Sequence, residues 1–294
     1  MDHDQISVEV GDATDSSALV TLDWPDAASA VTLGSELHGP VCAFARTLPS
    51  VVPARVSHDG RGVEFLVTEP CYWTPQLPFL YDLRLRTQDA EGTIRELDRS
   101  VGLRRLIAHG RNLRLNGERI VLRGTCCEQL EPSRLAEARA AETALLTRYP
   151  DDELYHAAAN TGVFLVADAT SGSAELIRVL RALSWQPAVS LVLLNRDQIV
   201  EDHTRAVQRM NLLLAQRIRL GETASESPIA AAADVIAVEL AEGDRPPAWM
   251  AKVAKPVIAI RRGRVYADLY EARAACDRLQ AELAPEFNLA GYFV

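Results

Sequence analysis

The chain has 294 residues, 48% of them hydrophobic and 24% charged, enough for two domains with ordinary buried cores. A formal net charge of −9 and the lack of any Lys/Arg run argue against a nucleic-acid surface. No apolar run approaches the ~20 residues of a membrane span, and the acidic start Met1-Asp2-His3-Asp4-Gln5 has no apolar signal region, so a cytoplasmic protein is expected. Five cysteines (Cys42, Cys71, Cys126, Cys127 and Cys276) form an odd set without metal-site spacing, the pattern of reduced structural thiols. The six histidines are scattered and there is no glycine-rich phosphate loop, so neither a metal nor a cofactor is expected.

From Ile6 to about Arg104 the pattern is short alternating strands. Ile6 to Val10, Ala18 to Trp24 and Val63 to Val67 are separated by Gly11-Asp12, Pro25-Asp26, Asp59-Gly60 and Glu91-Gly92. This predicts an immunoglobulin-like β-sandwich over residues 1–108. Asn116-Gly117 reads as a hairpin turn. Strands then alternate with helices, the mark of a parallel α/β architecture. The expected strands are Ile120 to Gly124, Thr143 to Thr147, Val163 to Asp168, Val189 to Leu194, Asn211 to Ala215, Val235 to Val238, Pro256 to Ile260 and Asn288 to Val294. Helices are expected from Ser133 (as N-cap) to Glu142, Asp151 to Asn160, Ser173 to Leu183, Pro246 to Val253 and Tyr270 to Leu283. Eight strands close a minimal (β/α)8 TIM barrel over residues 109–294, shorter than the ~250 residues typical of that fold, so its loops are trimmed. Trp185 and Trp249 lie in or beside helices, and packing is the expected role for both.

Three ordered motifs add a more specific signal. Trp73-Thr74-Pro75 with Pro78-Phe79-Leu80-Tyr81 is followed by Val101-Gly102-Leu103-Arg104, then by Leu115-Asn116-Gly117-Glu118-Arg119-Ile120. Together they resemble the sandwich domain and barrel entry of glycoside hydrolase family 2, the β-galactosidase and β-glucuronidase family. Lys255-Pro256-Val257-Ile258-Ala259-Ile260-Arg261-Arg262-Gly263 resembles that family's nucleophile strand, Pro-apolar-apolar-x-x-Glu-Tyr-Gly. Asp202-His203-Thr204-Arg205-Ala206-Val207 resembles its Asp-x-Thr-Arg-Pro-Val, and Tyr149-Pro150 its His-Tyr-Pro. As core aromatics and turn residues, Trp73, Tyr81 and Asn116-Gly117 are expected to be structural. The family's jelly-roll domain ahead of the sandwich has no counterpart here, and the chain stops one residue before its sugar-floor tryptophan.

The resemblance implies a glycosidase scaffold with altered chemistry. Arg261 stands at the nucleophile position, and a guanidinium offers no lone pair to an anomeric carbon. Asn195-Arg196-Asp197 stands where the family has Gly-Asn-Glu, so Arg196 replaces the asparagine that holds the sugar 2-hydroxyl and Asp197 takes the acid/base position. Glu128 falls at a histidine position after the first strand and Asp168 where a glutamate would end the third. Glu128, Asp168, Asn195, Arg196 and Glu239 are the candidate substrate-binding residues, with Arg261 expected to pair with Asp197 or Asp168 across the barrel mouth. The implied function is a catalytically inactive family 2-like protein with a carbohydrate or protein partner. The alternative is a divergent hydrolase that pairs Asp197 with Glu239 or Asp168, at the ~6.5–9.5 Å separation an inverting pair needs.

Overall fold

The computed structural model describes residues 6–11, 13–24, 31–57, 62–88, 91–127, 130–148, 152–171, 176–199, 212–220 and 229–294. Its Cα positions fall into two compact units.

The first unit contains Met1–Arg105 and Ser173–Pro187. Its strands are β1 (Ser7–Gly11), β2 (Ser17–Asp23), β3 (Val31–Thr32), β4 (Glu36–Val41), β5 (Ser50–Pro53), β6 (Arg55–Val56), β7 (Gly62–Thr68), β8 (Leu80–Gln88) and β9 (Ile94–Val101). One antiparallel sheet runs β1-β2-β7-β6; a second runs β3-β8-β4-β5, with β9 also on β8. Period-two patterning makes each sheet one-sided. In β2, Ala18, Val20 and Leu22 are buried while their neighbours are half-exposed. They share one core with Phe65, Leu37, Tyr81, Leu83 and Leu97 of the other strands. Trp73 and Tyr81 are buried as expected, with the Tyr81 hydroxyl accepting from the Cys71 amide at 2.9 Å.

A helix from the second half of the chain joins this core. Leu176–Ser184 buries Leu176, Leu180 and Leu183 on one face, and the next residue, Trp185, sits among the core side chains of the sheets. The Trp185 indole N–H donates to the Ile6 carbonyl at 2.8 Å, and the Arg104 guanidinium donates to the Pro187 carbonyl. Trp185 is therefore a core residue, as its helical setting predicted.

The second unit opens with an antiparallel sheet of β10 (Leu106–His109), β11 (Asn112–Leu115) and β12 (Glu118–Ile120). Its second turn is the predicted Asn116-Gly117. Both residues have positive φ, 50° and 90°, as a two-residue hairpin matching strand twist requires. Eight parallel strands then close a barrel in chain order: β13 (Leu122–Cys127), β14 (Ala144–Arg148), β15 (Leu165–Asp168), β16 (Val189–Leu194), β17 (Leu213–Arg219), β18 (Val235–Leu240), β19 (Val257–Arg261) and β20 (Gly291–Phe293). The helices of this half are α1 (Ser133–Ala140), α2 (Asp152–Thr161), α3 (Leu176–Ser184, the helix of the first unit) and α4 (Leu269–Leu283).

Boundaries differ from expectation for local reasons. Pro132 already has helical φ and ψ, so Ser133 lies inside α1 rather than capping it, and its hydroxyl bonds Glu131. Asp268 caps α4 by accepting from the Glu271 amide at 2.7 Å. The segment after Pro246-Pro247 is a 3-10 helix, Ala248–Lys252. Ser173, Tyr149-Pro150 and the Asp202 to Val207 motif lie outside the described residues.

A Cβ on Gly124 would come within 2.3 Å of the Phe293 ring, so that aromatic fills the space a side chain at 124 would take. Trp185→Ala is expected to cost the first unit about 3–5 kcal/mol, seen as an earlier urea transition and lost amide protection in β1.

Candidate functional site

Parallel pairing aligns the inward side chains in rings. Across the closed sheet Gly124 pairs with Ala144, Arg148 with Asp168, Arg219 with Glu239 and Ile260 with Phe293. On β18 and β19 the other set faces outward: Ile236, Val238, Leu240, Val257 and Ala259 pack with the α4 side chains Ala272, Cys276 and Leu279. The inward set therefore runs 235, 237, 239 on β18 and 258, 260, 262 along β19 and its continuation.

At the C-terminal end this parity gathers charge. The Arg262 guanidinium donates to Asp168 Oδ2 at 2.8 Å through Nη2 and to Glu239 Oε1 at 3.0 Å through Nε. Arg219 Nε donates to Glu239 Oε2 at 2.9 Å, and Arg217 Nη1 lies 3.8 Å from Glu239 Oε1. Arg217 also donates twice to Asn195 Oδ1, at 3.0 and 2.6 Å, while Asn195 Nδ2 donates to the Thr170 carbonyl at 2.8 Å. Thr170 returns to Asp168 Oδ1 through its hydroxyl at 2.6 Å and its amide at 3.1 Å.

Burial works against the ionised form of Asp168, but the bonds from Thr170 and Arg262 outweigh it and hold the carboxyl below its ordinary value. Burial pushes the nearby Cys126 thiol up to about 12, so it stays neutral. All five cysteines are free thiols. Among the described residues no cluster of three or more His, Cys, Asp or Glu could hold a metal, and no helix is long and apolar enough to cross a membrane.

No family model matches the sequence. A β-galactosidase from Erwinia tasmaniensis is 26% identical over 170 residues, 51% of this chain and 16% of that enzyme. The β-glucuronidase of Bacteroides uniformis superposes over 100% of this chain and 46% of its own, with a TM-score of 0.63 and 14% identity. The Lactobacillus rhamnosus β-glucuronidase gives 0.66 at 14% identity, over 99% of this chain and 60% of its own. The chain is glycoside hydrolase family 2-like. It spans about half the length of these β-glucuronidases and a smaller share of the β-galactosidase.

Within this family 2-like barrel the sequence candidates separate. Asp168, Glu239 and Asn195 meet in one network. Arg196 and Asp197 sit on the 3-10 turn after β16, both exposed, and Asp197 takes no part in the network's bonds among the described residues. Glu128 lies outside the described residues.

The expected pairing of Arg261 with Asp197 or Asp168 is not what forms. Arg261 faces α4, donating to Glu282 at 2.9 and 3.0 Å and to the Asp244 carbonyl at 3.1 Å. Position 261 has the outward parity of 257 and 259, and Arg262 takes the inward place. The Glu282 bonds hold Arg261 above and Glu282 below their ordinary values.

Arg217 and Arg219 escaped the sequence reading because the fifth strand was expected to end at Ala215, and Thr170 because it lies just past the third strand, beyond the end at Asp168. Continued alternation through Arg217-Ile218-Arg219, with Ile218 in the outer core, was the available signal.

Two outcomes follow. Arg261→Glu would set a carboxylate against Glu282 and is expected to lower stability by about 1 kcal/mol in denaturant melts. The Asp168 carboxyl is depressed in the folded state, so its stabilisation is present above the unfolded value and fades as pH falls through the folded one. Asp168→Asn should therefore lower stability at pH 7 by about 1–3 kcal/mol, with the gap to wild type closing below about pH 4 in urea titrations.

Proposed function

We propose that this family 2-like protein does not hydrolyse glycosides, and that the charged end of its barrel is a binding site for a carbohydrate or a protein partner. The observation that carries the reading is the Arg262 guanidinium bonded to Asp168 and Glu239 together. A retaining hydrolase needs one carboxyl protonated as acid and another poised as nucleophile about 5 Å away. Asp168, held ionised by Thr170 and Arg262, is no proton donor, and the guanidinium it shares with Glu239 occupies oxygens that an acid or a nucleophile would have to present.

The strand motifs support the same conclusion in either register. At β19 the nucleophile position is Arg261 by sequence and Arg262 by side-chain direction. At β16 Asp197 takes the acid/base position by sequence. If Asn195, whose side chain enters the network, takes the family's asparagine position, Arg196 takes the glutamate's. The likeness to β-glucuronidases and a β-galactosidase supports a sugar as ligand. Two antiparallel sheets on one core support an immunoglobulin-like sandwich over residues 1–108 ahead of a barrel over 109–294. The free cysteines fit a cytoplasmic setting.

The deciding assay is aryl release from a panel of β-galactosides, β-glucuronides and β-mannosides by folded protein. No release is expected. Turnover abolished by Asp197→Asn would overturn the reading, and turnover surviving that change but lost in Glu239→Gln would overturn it in favour of a different carboxylate pair.

A further inference from the structure

We propose that the C-terminal end of the barrel binds an oxyanion, a phosphate or sulfate group that is either free or carried as an ester on a sugar. The inference rests on the reading of this end as a binding site and names the chemistry it would take.

Among the described residues, the inward positions at the strand ends carry four guanidiniums, Arg148, Arg217, Arg219 and Arg262, and two carboxylates, Asp168 and Glu239. Summed over these described inward positions alone, that is a surplus of two positive charges, in a chain of net charge −9. The acceptors are also taken up. Asp168 Oδ1 receives two bonds from Thr170 and Oδ2 one from Arg262. Glu239 Oε1 faces Arg262 and Arg217, Oε2 receives Arg219, and Asn195 Oδ1 receives Arg217 twice.

Donors outnumber these acceptors, since each guanidinium carries five N–H groups and no lone pair. Arg262 spends its Nε and one Nη2 hydrogen on the carboxylates. Its end-on edge, Nη1 with the second Nη2 hydrogen, makes no bond among the described residues, and its side chain is 37% exposed. Such an edge matches a pair of phosphate or sulfate oxygens. The strain of the surplus registers on Arg217: burial holds it below its ordinary value, and repulsion from Arg219 and Arg262 adds to that against the pull of Glu239 and Asp168. An arriving anion would offset this positive charge and occupy the Arg262 edge that makes no bond among the described residues.

The test is isothermal titration of the full chain with inorganic phosphate, sodium sulfate, glucose 6-phosphate and glucose, at fixed ionic strength in chloride. Saturable binding of an oxyanion, with glucose silent, is expected. Arg262→Gln should weaken it about tenfold, the loss of a charge-assisted contact. Because that change also leaves Asp168 and Glu239 facing each other, Arg219→Gln is measured in parallel; it keeps the Arg262 pairs, should retain the wild-type melting temperature, and should weaken binding several-fold. Tighter binding of glucose 6-phosphate than of phosphate assigns a sugar ester, and equal binding assigns the free anion. No saturable binding, or equal binding by wild type and both variants, overturns the proposal. Aryl-glycoside release is read separately, so hydrolysis would sink the non-catalytic reading without touching the titration.

Discussion

Successive side chains of a β-strand point to opposite faces, and in a closed barrel one of those faces is the interior. Most of what distinguishes this molecule follows from that parity. Val257 and Ala259 turn to the helix layer, so Arg261 does too and meets Glu282. Ile258 and Ile260 line the interior, so the following inward place belongs to Arg262. One residue separates an arginine that ties a helix to its strand from one that bridges two carboxylates.

The carboxylates and arginines are mutually dependent. Desolvating a charge costs several kcal/mol, repaid only when partner and hydrogen bonds are both in place. Asp168 meets that condition through Thr170 and Arg262, and Glu239 through Arg262 and Arg219. Removing Arg262 would leave Asp168 without a charged partner among the described residues, so sequence change at that pair is most readily accommodated in matched sets. An end built that way holds its side chains in place through their own mutual bonds.

Much of the architecture was legible in the chain because its signals are local. Alternating strands before Arg104, the Asn116-Gly117 turn and eight apolar runs after Ile120 all survive, since each needs only its own residues to declare it. The site was legible in part. Asp168, Asn195 and Glu239 sit near strand ends where barrel geometry places function, and they do converge. Arg261 was misplaced because side-chain direction at the last residue of a short strand depends on a register that neighbouring strands set. Arg217 and Arg219 were missed because polar residues on the inner face weaken the apolar pattern by which the strand was delimited. The destination of α3 was not visible at all: its spacing reads as an ordinary crossover helix, and only three-dimensional packing puts Trp185 in the core of the antiparallel sheets.

The order of the strands also bears on how the molecule is made. β20, the last of the eight to be synthesised, is the only strand that pairs with both β13 and β19. Until residues 291–293 leave the ribosome, β13 and β19 are open sheet edges, and the space beside Gly124 lacks the Phe293 ring. Open parallel edges are templates for pairing with other chains. The barrel thus stays open to pairing with other chains until residues 291–293 dock between β13 and β19.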